Sequence, residues 1–539
     1  MKSTPGIVAL PRLALLAGAV VLSIGMAGAP ASAQVTAFKQ AVAETAISDK
    51  EVAEFYRQAD YAPLWTGEGE EFRQRRAALI EALNSVEIHG LPASRYDVAG
   101  LMAKMGAAHT TRDIGMVEVA LSKAFLDYAH DVQSGLLVPS RVDDGIVRVV
   151  PRRKGADLLG GLAASQEARS YMNALPPQNP EYRNLMKERL RLQKIVSEGL
   201  WGPTVHATKL EPGDRGDAVL ALRNRLIAMG YMDRTATVAY DGAMTRAVMA
   251  FQSAHGLEQD GVAGQGTIAE INVSPEDRLK SVLVAMERER WMNIERGKRH
   301  ILVNLTDFTA KIVDDGQVTF QTRAVIGAAS HDRRSPEFSD EMEHMIINPS
   351  WHVPRSIITK EYLPQLKKNP NAASHLIITD RRGQRVDRAA VDFTQFTQTN
   401  FPFDMRQPPS NSNALGLVKF MFPNKYNIYL HDTPQKSLFA RESRAYSHGC
   451  IRLADPFDFA YALLARQEAD PKTFFQNVLG RGVETKVDLK QKVPVHLIYR
   501  TAVIGERGQV EFRRDVYGRD ARIWEALSDA GVALNAVQG

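Results

Sequence analysis

Apolar residues recur every three to four positions through "ISDKEVAEFYRQADYAPLW", "EFRQRRAALIEALNSV", "GMVEVALSKAFLDYAHDVQSG" and "NPEYRNLMKERLRLQKIVSEG". That spacing places them on one face of an α-helix. Glycine and proline punctuate the runs, so residues 34–205 are expected to form a helical scaffold. A second helical unit is expected over 206–274. Val219, Leu222 and Leu226 share a face of a first helix that Gly230 stops, and Val248 and Phe251 lie on a second that Gly256 ends. "EQDGVAG" then turns the chain into a third, short helix. Residues 275–299 are expected to be a linker helix.

After "ERERWMN" the period shortens to that of strands. "HILVNLTDFTAKIVDDGQVTFQTRAVIG" alternates, turns at Asp315 and Gly316, and returns, which predicts a β-hairpin. "VPVHLIYRTAVIGERGQVEF", near 493–512, predicts a second pair, and "LGLVKFMFP" and "KYNIYLHD" predict short strands between them. Residues 300–500 therefore read as a mainly β domain. The stretch from about 330 to 412 is poor in strand pattern, has its best helix in "EYLPQLKKN", and is expected to be a capping insertion over the sheet. Residues 501–539 would add a hairpin extension and a helix.

The N-terminus changes the setting. Lys2 and Arg12 precede "LALLAGAVVLSIGMAGA" and an A-x-A site at Ala31 to Ala33, the pattern of a secretory signal peptide over 1–33. No later run approaches the roughly 18 apolar residues of a transmembrane helix, so no span is expected after signal removal. A chain of 539 residues with 44% hydrophobic and 24% charged residues predicts several ordinary folded domains. Its formal charge of +5 becomes +3 without Lys2 and Arg12, which permits an anionic neighbour without specifying one. The basic clusters "PRRKG" and "HDRRS" lack a recognisable reader module, so no nucleic acid partner is expected.

With Cys450 the single cysteine, no intramolecular disulfide can form, and a free thiol in an exported protein suggests use. "KYNIYLHD" ends in His431, on the same strand face as Tyr429 and opposite Ile428 and Leu430. Cys450 follows nineteen residues later, and Asp455 with Pro456 opens the next helix. A free thiol with a pKa of about 8.5 is mostly protonated near neutrality, and an adjacent imidazole raises its nucleophilicity. His431, delivered from a separate strand, is favoured as the base. His448, two residues from Cys450, is awkwardly directed and reads either as a structural hydrogen-bonding residue or as catalytic support. Backbone N–H groups near Gly449 and Cys450 are the natural oxyanion donors. Arg452 is either a satisfied structural ion or a carboxylate holder. No H-E-x-x-H or C-x-x-C spacing occurs, and "GVAGQG" lacks the strand that precedes a dinucleotide loop, so neither metal nor organic cofactor is expected.

"HDTPQKSLFARESRAYSHGCIRL" resembles the signature of the L,D-transpeptidases, in which a histidine precedes an S-H-G-C-x-R core. "SPEFSDEMEHMIINPSWHVPRSI" and "MRQPPSNSNALGLVKFMFPNKYNIYLHDTP" extend the likeness, and "PGDRGDAV", "AVMAFQ" and "DGVAGQGT" resemble a three-helix peptidoglycan-binding domain. The resemblance implies a multidomain α+β protein: a mainly β L,D-transpeptidase catalytic domain with a capping insertion, a three-helix peptidoglycan-binding domain and an α-helical scaffold. It implies Cys450 as nucleophile and His431 as general base, with His448 and Gly449 beside them, and Ser447, Arg452, Tyr429, Asn413 and Trp351 binding substrate or shaping the pocket. Two departures stand out. Asp432 replaces a frequent glycine, and Ser410 or Asn411 stands where R-Q-x-x-G-x-x-N has glycine.

By the same resemblance, the enzyme would form a thioester with the L-centre carbonyl of diaminopimelate in a tetrapeptide stem, release D-alanine, and pass the acyl group to a neighbouring diaminopimelate amine as a 3-3 cross-link. Peptidoglycan stems would be donor and acceptor, and the location the periplasm, at the cell wall. An outer-membrane protein amine or water could replace the acceptor, and a non-catalytic wall-binding scaffold is the alternative of a different class. A carbapenem is expected to acylate Cys450.

Overall fold

The computed structural model describes residues 29–505 and 508–534. The signal-peptide expectation falls largely on residues 1–28, outside the described residues. Among the described residues, no helix is long and apolar enough to cross a membrane.

The helical periodicity of the first region becomes helices Lys50–Gln58, Glu70–Asn84, Thr111–Ser134 and Gly155–Ala164. The long helix starts from a capping box in which Thr110 and Asp113 satisfy each other's backbone N–H. Its Phe125 and Leu126 pack with Phe55, Leu79 and Leu159 in one apolar core. Three further helices, Asp217–Ala228, Gly242–Ala254 and Gln265–Ile271, bury the expected Val219, Leu222, Leu226, Val248 and Phe251 in a core of their own.

Two expectations about helices need correction. Helix Pro180–Glu198 does not close the scaffold core; its Leu185 and Leu192 pack with Leu279 and Leu283 of helix Pro275–Trp291 and with Ala502, Phe512 and Ile523 near the C-terminus. Helix Pro275–Trp291 is therefore no linker but the buried axis of that core. All four residues of its "ERER" run are buried and paired. Arg288 reaches Glu337 at 2.6 Å and Asp520 at 2.9 Å, Arg290 reaches Glu287 at 2.7 Å, and Glu289 receives Arg296 at 2.8 Å. Charge can be buried there because each group meets its opposite.

The β-rich region begins with β1 (Arg299–Asn304), β2 (Thr309–Asp314) and β3 (Gln317–Gly327), an antiparallel meander. Its second turn is the expected one: Asp315 and Gly316 both have positive φ, at 49° and 81°, as a tight hairpin turn demands. Next comes β4 (Phe338–Ile347), within the stretch expected to be the capping insertion. It lies instead in the main sheet, between the strands Thr485–Ile498 and Val418–Met421, burying Phe338, Met342, Met345 and Ile347 while its polar residues face out. The cap proper contains β5 (Trp351–His352), β6 (Ile377–Thr379) and β7 (Asp404–Gln407) in a small separate sheet. Val353, Leu363, Leu366, Phe393 and Phe401 give it a core. The chain then returns to the main sheet through β8 (Val418–Met421), β9 (Leu430–His431), β10 (Ala445–Ser447), β11 (Ile451–Leu453) and β12 (Thr485–Ile498).

Among the described residues, nine strands form this sheet in the order β10-β3-β11-β9-β8-β4-β12-β1-β2, and β2 also pairs with β3, so the sheet closes on itself. Closure leaves few free edges and encloses Ile301, Val303, Phe420, Leu430, Ile451 and Leu497. The expected pair at 493–512 is corrected. β12 joins β1 and β4 in the main sheet, and a separate hairpin follows from β13 (Ala502–Ile504) and β14 (Val510–Phe512). Val495 and Leu497 are core-facing, so β12 belongs to the barrel rather than to a surface hairpin.

Candidate active site

Parallel pairing of β9 with β11 builds the site. Ile451 lies opposite Leu430 and Arg452 opposite His431, and the Ile451 N–H donates to the Tyr429 carbonyl at 3.0 Å. Because strand side chains alternate, Ile451 and Leu430 enter the core while Cys450, Arg452, Tyr429 and His431 share the other face. Antiparallel pairing of β8 with β9 sets Lys419 opposite His431 on that same face. The nineteen-residue separation of His431 and Cys450 thus becomes a neighbouring position on adjacent strands.

The His431 ring is buried. Its Nδ1 hydrogen-bonds the Asp432 carbonyl, which fixes the proton of the neutral ring on Nδ1 and leaves Nε2 as the basic nitrogen. Burial, reinforced by the Arg452 and Lys419 cations, lowers its pKa to about 3, against the pull of the Asp432 and Leu415 carbonyls. Cys450 is half-buried, its sulfur 3.4 Å from the Asn427 carbonyl. Burial pushes the thiol up to about 11, opposed by hydrogen bonds from Tyr429 and by the charges of Arg452 and Lys419. The Tyr429 ring stands edge-on to His431 with centroids 5.6 Å apart, and burial raises its hydroxyl well above its ordinary range. Both members of the thiol–imidazole pair are therefore neutral at rest.

The turn carrying Cys450 is held from behind. The Ser447 hydroxyl donates to the Cys450 carbonyl at 2.5 Å and accepts the Gly449 N–H at 3.1 Å. Gly449 has φ +116°, where a side chain is strained, and an added Cβ would come within 3.2 Å of Ile428. The Gly449 N–H is thus occupied, which removes it from the expected oxyanion donors; among the described residues the N–H groups of His448 and Cys450 make no hydrogen bond. The fully buried Ser335 donates to the Gly449 carbonyl at 2.6 Å and accepts the Gly327 N–H at 3.0 Å. Arg519 in turn donates to the Ser335 carbonyl at 3.0 Å.

The remaining candidates are placed differently. His448 is not gathered with Cys450 and His431: it is exposed, and its Nε2 meets Glu361 of the cap at 2.5 Å, a carboxylate that Arg333 also holds at 2.6 Å. Arg452 donates to Gln435 at 2.6 Å while its buried Nε finds no partner among the described residues. Asn413 is fully buried and spends its amide on the carbonyls of Pro349, Gln407 and Pro408, so it braces the junction of cap and sheet without reaching the pocket. Trp351 packs in the cap, edge-on to Tyr362 at 6.4 Å. Asp432, the departure from glycine, is an organising carboxylate: it accepts the N–H groups of Leu417 at 2.9 Å and Thr433 at 2.7 Å and pairs with Lys436 at 2.8 Å. Gly416 must be glycine beside it, since an added Cβ would lie 2.2 Å from its Oδ2. Sequence reasoning missed Lys419, Ser335 and Glu361. Their only sequence signal was proximity to motif stretches, which does not reveal the face they share.

Comparison with known proteins bears on the whole architecture. Residues 298–495 match the family described as "L,D-transpeptidase catalytic domain". The chain carries an L,D-transpeptidase catalytic domain. Residues 50–188 match "Scaffold domain" and residues 215–271 match "Putative peptidoglycan binding domain", so the L,D-transpeptidase region sits with the two companions that its helical patterns predicted. A Haemophilus influenzae protein named "Putative L,D-transpeptidase" is 33% identical over 242 residues, covering 44% of this chain and 48% of the relative. The chain thus spans about half the length of that relative. Solved L,D-transpeptidase structures from Xylanimonas cellulosilytica and Stackebrandtia nassauensis are each 15% identical. They cover 54% of this chain and 98% and 96% of their own, with TM-scores of 0.18 and 0.22. Among the described residues, no three His, Cys, Asp or Glu side chains converge as a metal site would require.

Proposed function

We propose that this protein is a periplasmic L,D-transpeptidase that forms 3-3 peptidoglycan cross-links through a thioester on Cys450. The observation that carries the reading is the β9–β11 register, which sets Cys450, His431, Tyr429 and Arg452 on one face within a domain matched as L,D-transpeptidase. Cys450 sulfur attacks the L-centre carbonyl of diaminopimelate in a tetrapeptide stem as its proton passes to Nε2 of His431. A neutral imidazole is the form that can take that proton, and burial keeps His431 neutral until attack begins. The bond to D-alanine breaks, and the amine leaves with the proton from His431. The amine of a second diaminopimelate then attacks the thioester and gives a proton to His431, the carbon–sulfur bond breaks, and that proton passes to the departing sulfur to restore the Cys450 thiol.

The free N–H groups of His448 and Cys450 are the oxyanion donors in this scheme. The cap excludes water from the thioester, and the peptidoglycan-binding module raises the local concentration of stems. The test is mass analysis of disaccharide-tetrapeptides incubated with the protein and with Cys450→Ala. D-alanine loss and 3-3 dimers are expected from the first alone. Loss without dimers would make the enzyme a carboxypeptidase, and no turnover by either protein would overturn the proposal. A carbapenem should add its mass to Cys450 and leave Cys450→Ala unmodified.

A further inference from the structure

The Cys450 face carries a cation that the motif did not supply. Lys419 is half-buried on β8, directly across from His431, with its ammonium 5.8 Å above the Tyr429 ring. Among the described residues that ammonium makes no hydrogen bond or ion pair, although burial of an unpaired charge is costly and lowers its pKa. With Arg452 on β11, it flanks the thiol and imidazole, and both cations act on Cys450 and His431 alike.

The surrounding acids are already engaged. Asp432 is held by Lys436 and two N–H groups, and Glu361 by Arg333 and His448. Glu484, whose charge reaches Lys419, accepts the Ser350 N–H. A partly desolvated cation beside a nucleophile, reached by the Glu484 charge but in contact with no carboxylate, is arranged to receive an anion.

We propose that Lys419 is the anchor for a substrate carboxylate, holding the stem so that the carbonyl to be attacked lies over Cys450. The inference rests on the transpeptidase reading and names a contact within it. Two carboxylates of a tetrapeptide stem fit this chemistry: that of the terminal D-alanine and that of the D-centre of diaminopimelate. Both lie a few bonds from the attacked carbonyl, and an ammonium–carboxylate contact in a half-buried setting is stronger than its surface counterpart.

The experiment measures D-alanine or D-alaninamide release by the full chain, Lys419→Met and Lys419→Arg on three stems: free acid, amidated at the terminal alanine, and amidated at the diaminopimelate D-centre. On the free acid, Lys419→Met should raise KM by roughly ten- to a hundredfold with a smaller change in kcat, and Lys419→Arg should recover part of the loss. Amidating the carboxylate that Lys419 holds should cost the unmodified protein a similar factor and leave Lys419→Met nearly indifferent, which identifies the partner. Equal loss on all three stems would overturn the inference and assign Lys419 to thiol activation instead. Binding supplies a second readout without turnover: Cys450→Ala protein should hold the free-acid stem more tightly than Cys450→Ala with Lys419→Met, and equal affinities would overturn the anchor. Failure of the unmodified protein to release D-alanine would fail the transpeptidase reading, a result separate from either of these.

Discussion

Cys450 and His431 share one face of the sheet as two neutral groups, the thiol raised to about 11 and the imidazole lowered to about 3, both chiefly by burial. Alkylation of Cys450 by iodoacetamide should therefore keep climbing, about tenfold per pH unit, between pH 8 and 10. An exposed thiol would level off near pH 9, and a plateau there, read by mass spectrometry, would contradict the assignment. Ser335→Ala removes the hydroxyl that spans the Gly449 carbonyl and the Gly327 N–H, leaving two buried backbone groups unpaired. A loss of about 1–3 kcal/mol in urea unfolding is expected, together with a fall in kcat larger than the change in KM, because the turn carrying Cys450 loses its rear support. The single cysteine, its preceding histidine and the glycine between His448 and Cys450 were legible in the sequence because each carries a residue-specific chemistry. Ser335 and Lys419 were not, because serine and lysine are ordinary in strands and loops until a fold brings them against a thiol.

At the level of elements, periodicity found most helices and the hairpin at Asp315–Gly316, since amphipathic spacing and turn chemistry are local properties. It failed for β4, whose run of acids and histidine concealed Phe338, Met342 and Met345 on the inner face. It also failed for helix Pro275–Trp291, expected as a linker, which packs in a core shared with distant segments. That helix makes its own prediction. Arg288 bridges Glu337 of the catalytic region and Asp520 of the C-terminal helix, all three buried. Arg288→Met would leave buried Asp520 without its cation and Glu337 with Arg519 alone, and should cost about 3–5 kcal/mol in denaturant unfolding. Adding Glu337→Gln and Asp520→Asn to the same chain should return part of the loss, since the uncompensated charges are then gone. An unchanged unfolding midpoint for Arg288→Met would contradict the bridge.

The whole molecule should be acid-sensitive. His255, His431 and His496 are each about 4% exposed, and burial holds all three below their ordinary pKa, His431 at about 3 and His496 at about 4. An unfolded chain binds protons at these sites below about pH 6.5 while the folded chain does not, so stability is highest above that value and falls as pH drops toward the folded pKa values. Each site removes up to about 1.4 kcal/mol per pH unit in that window, and the melting temperature should fall clearly between pH 7 and pH 5. A flat profile would show that these rings gain protons in the folded state.

By itself, the sequence determined the motif around Cys450, the three-helix module that resembles a peptidoglycan-binding domain, the helical scaffold and the β character of the region that follows, because motif residues, amphipathic spacing and turn signals are written over short distances. Only the tertiary structure decided that β4 and β12 close the sheet, that a charged helix is the buried axis joining scaffold, sheet and C-terminus, and that Lys419 shares the face of Cys450. Those outcomes depend on register between strands far apart in the chain and on which charges meet when cores pack, and neither is encoded in any local window.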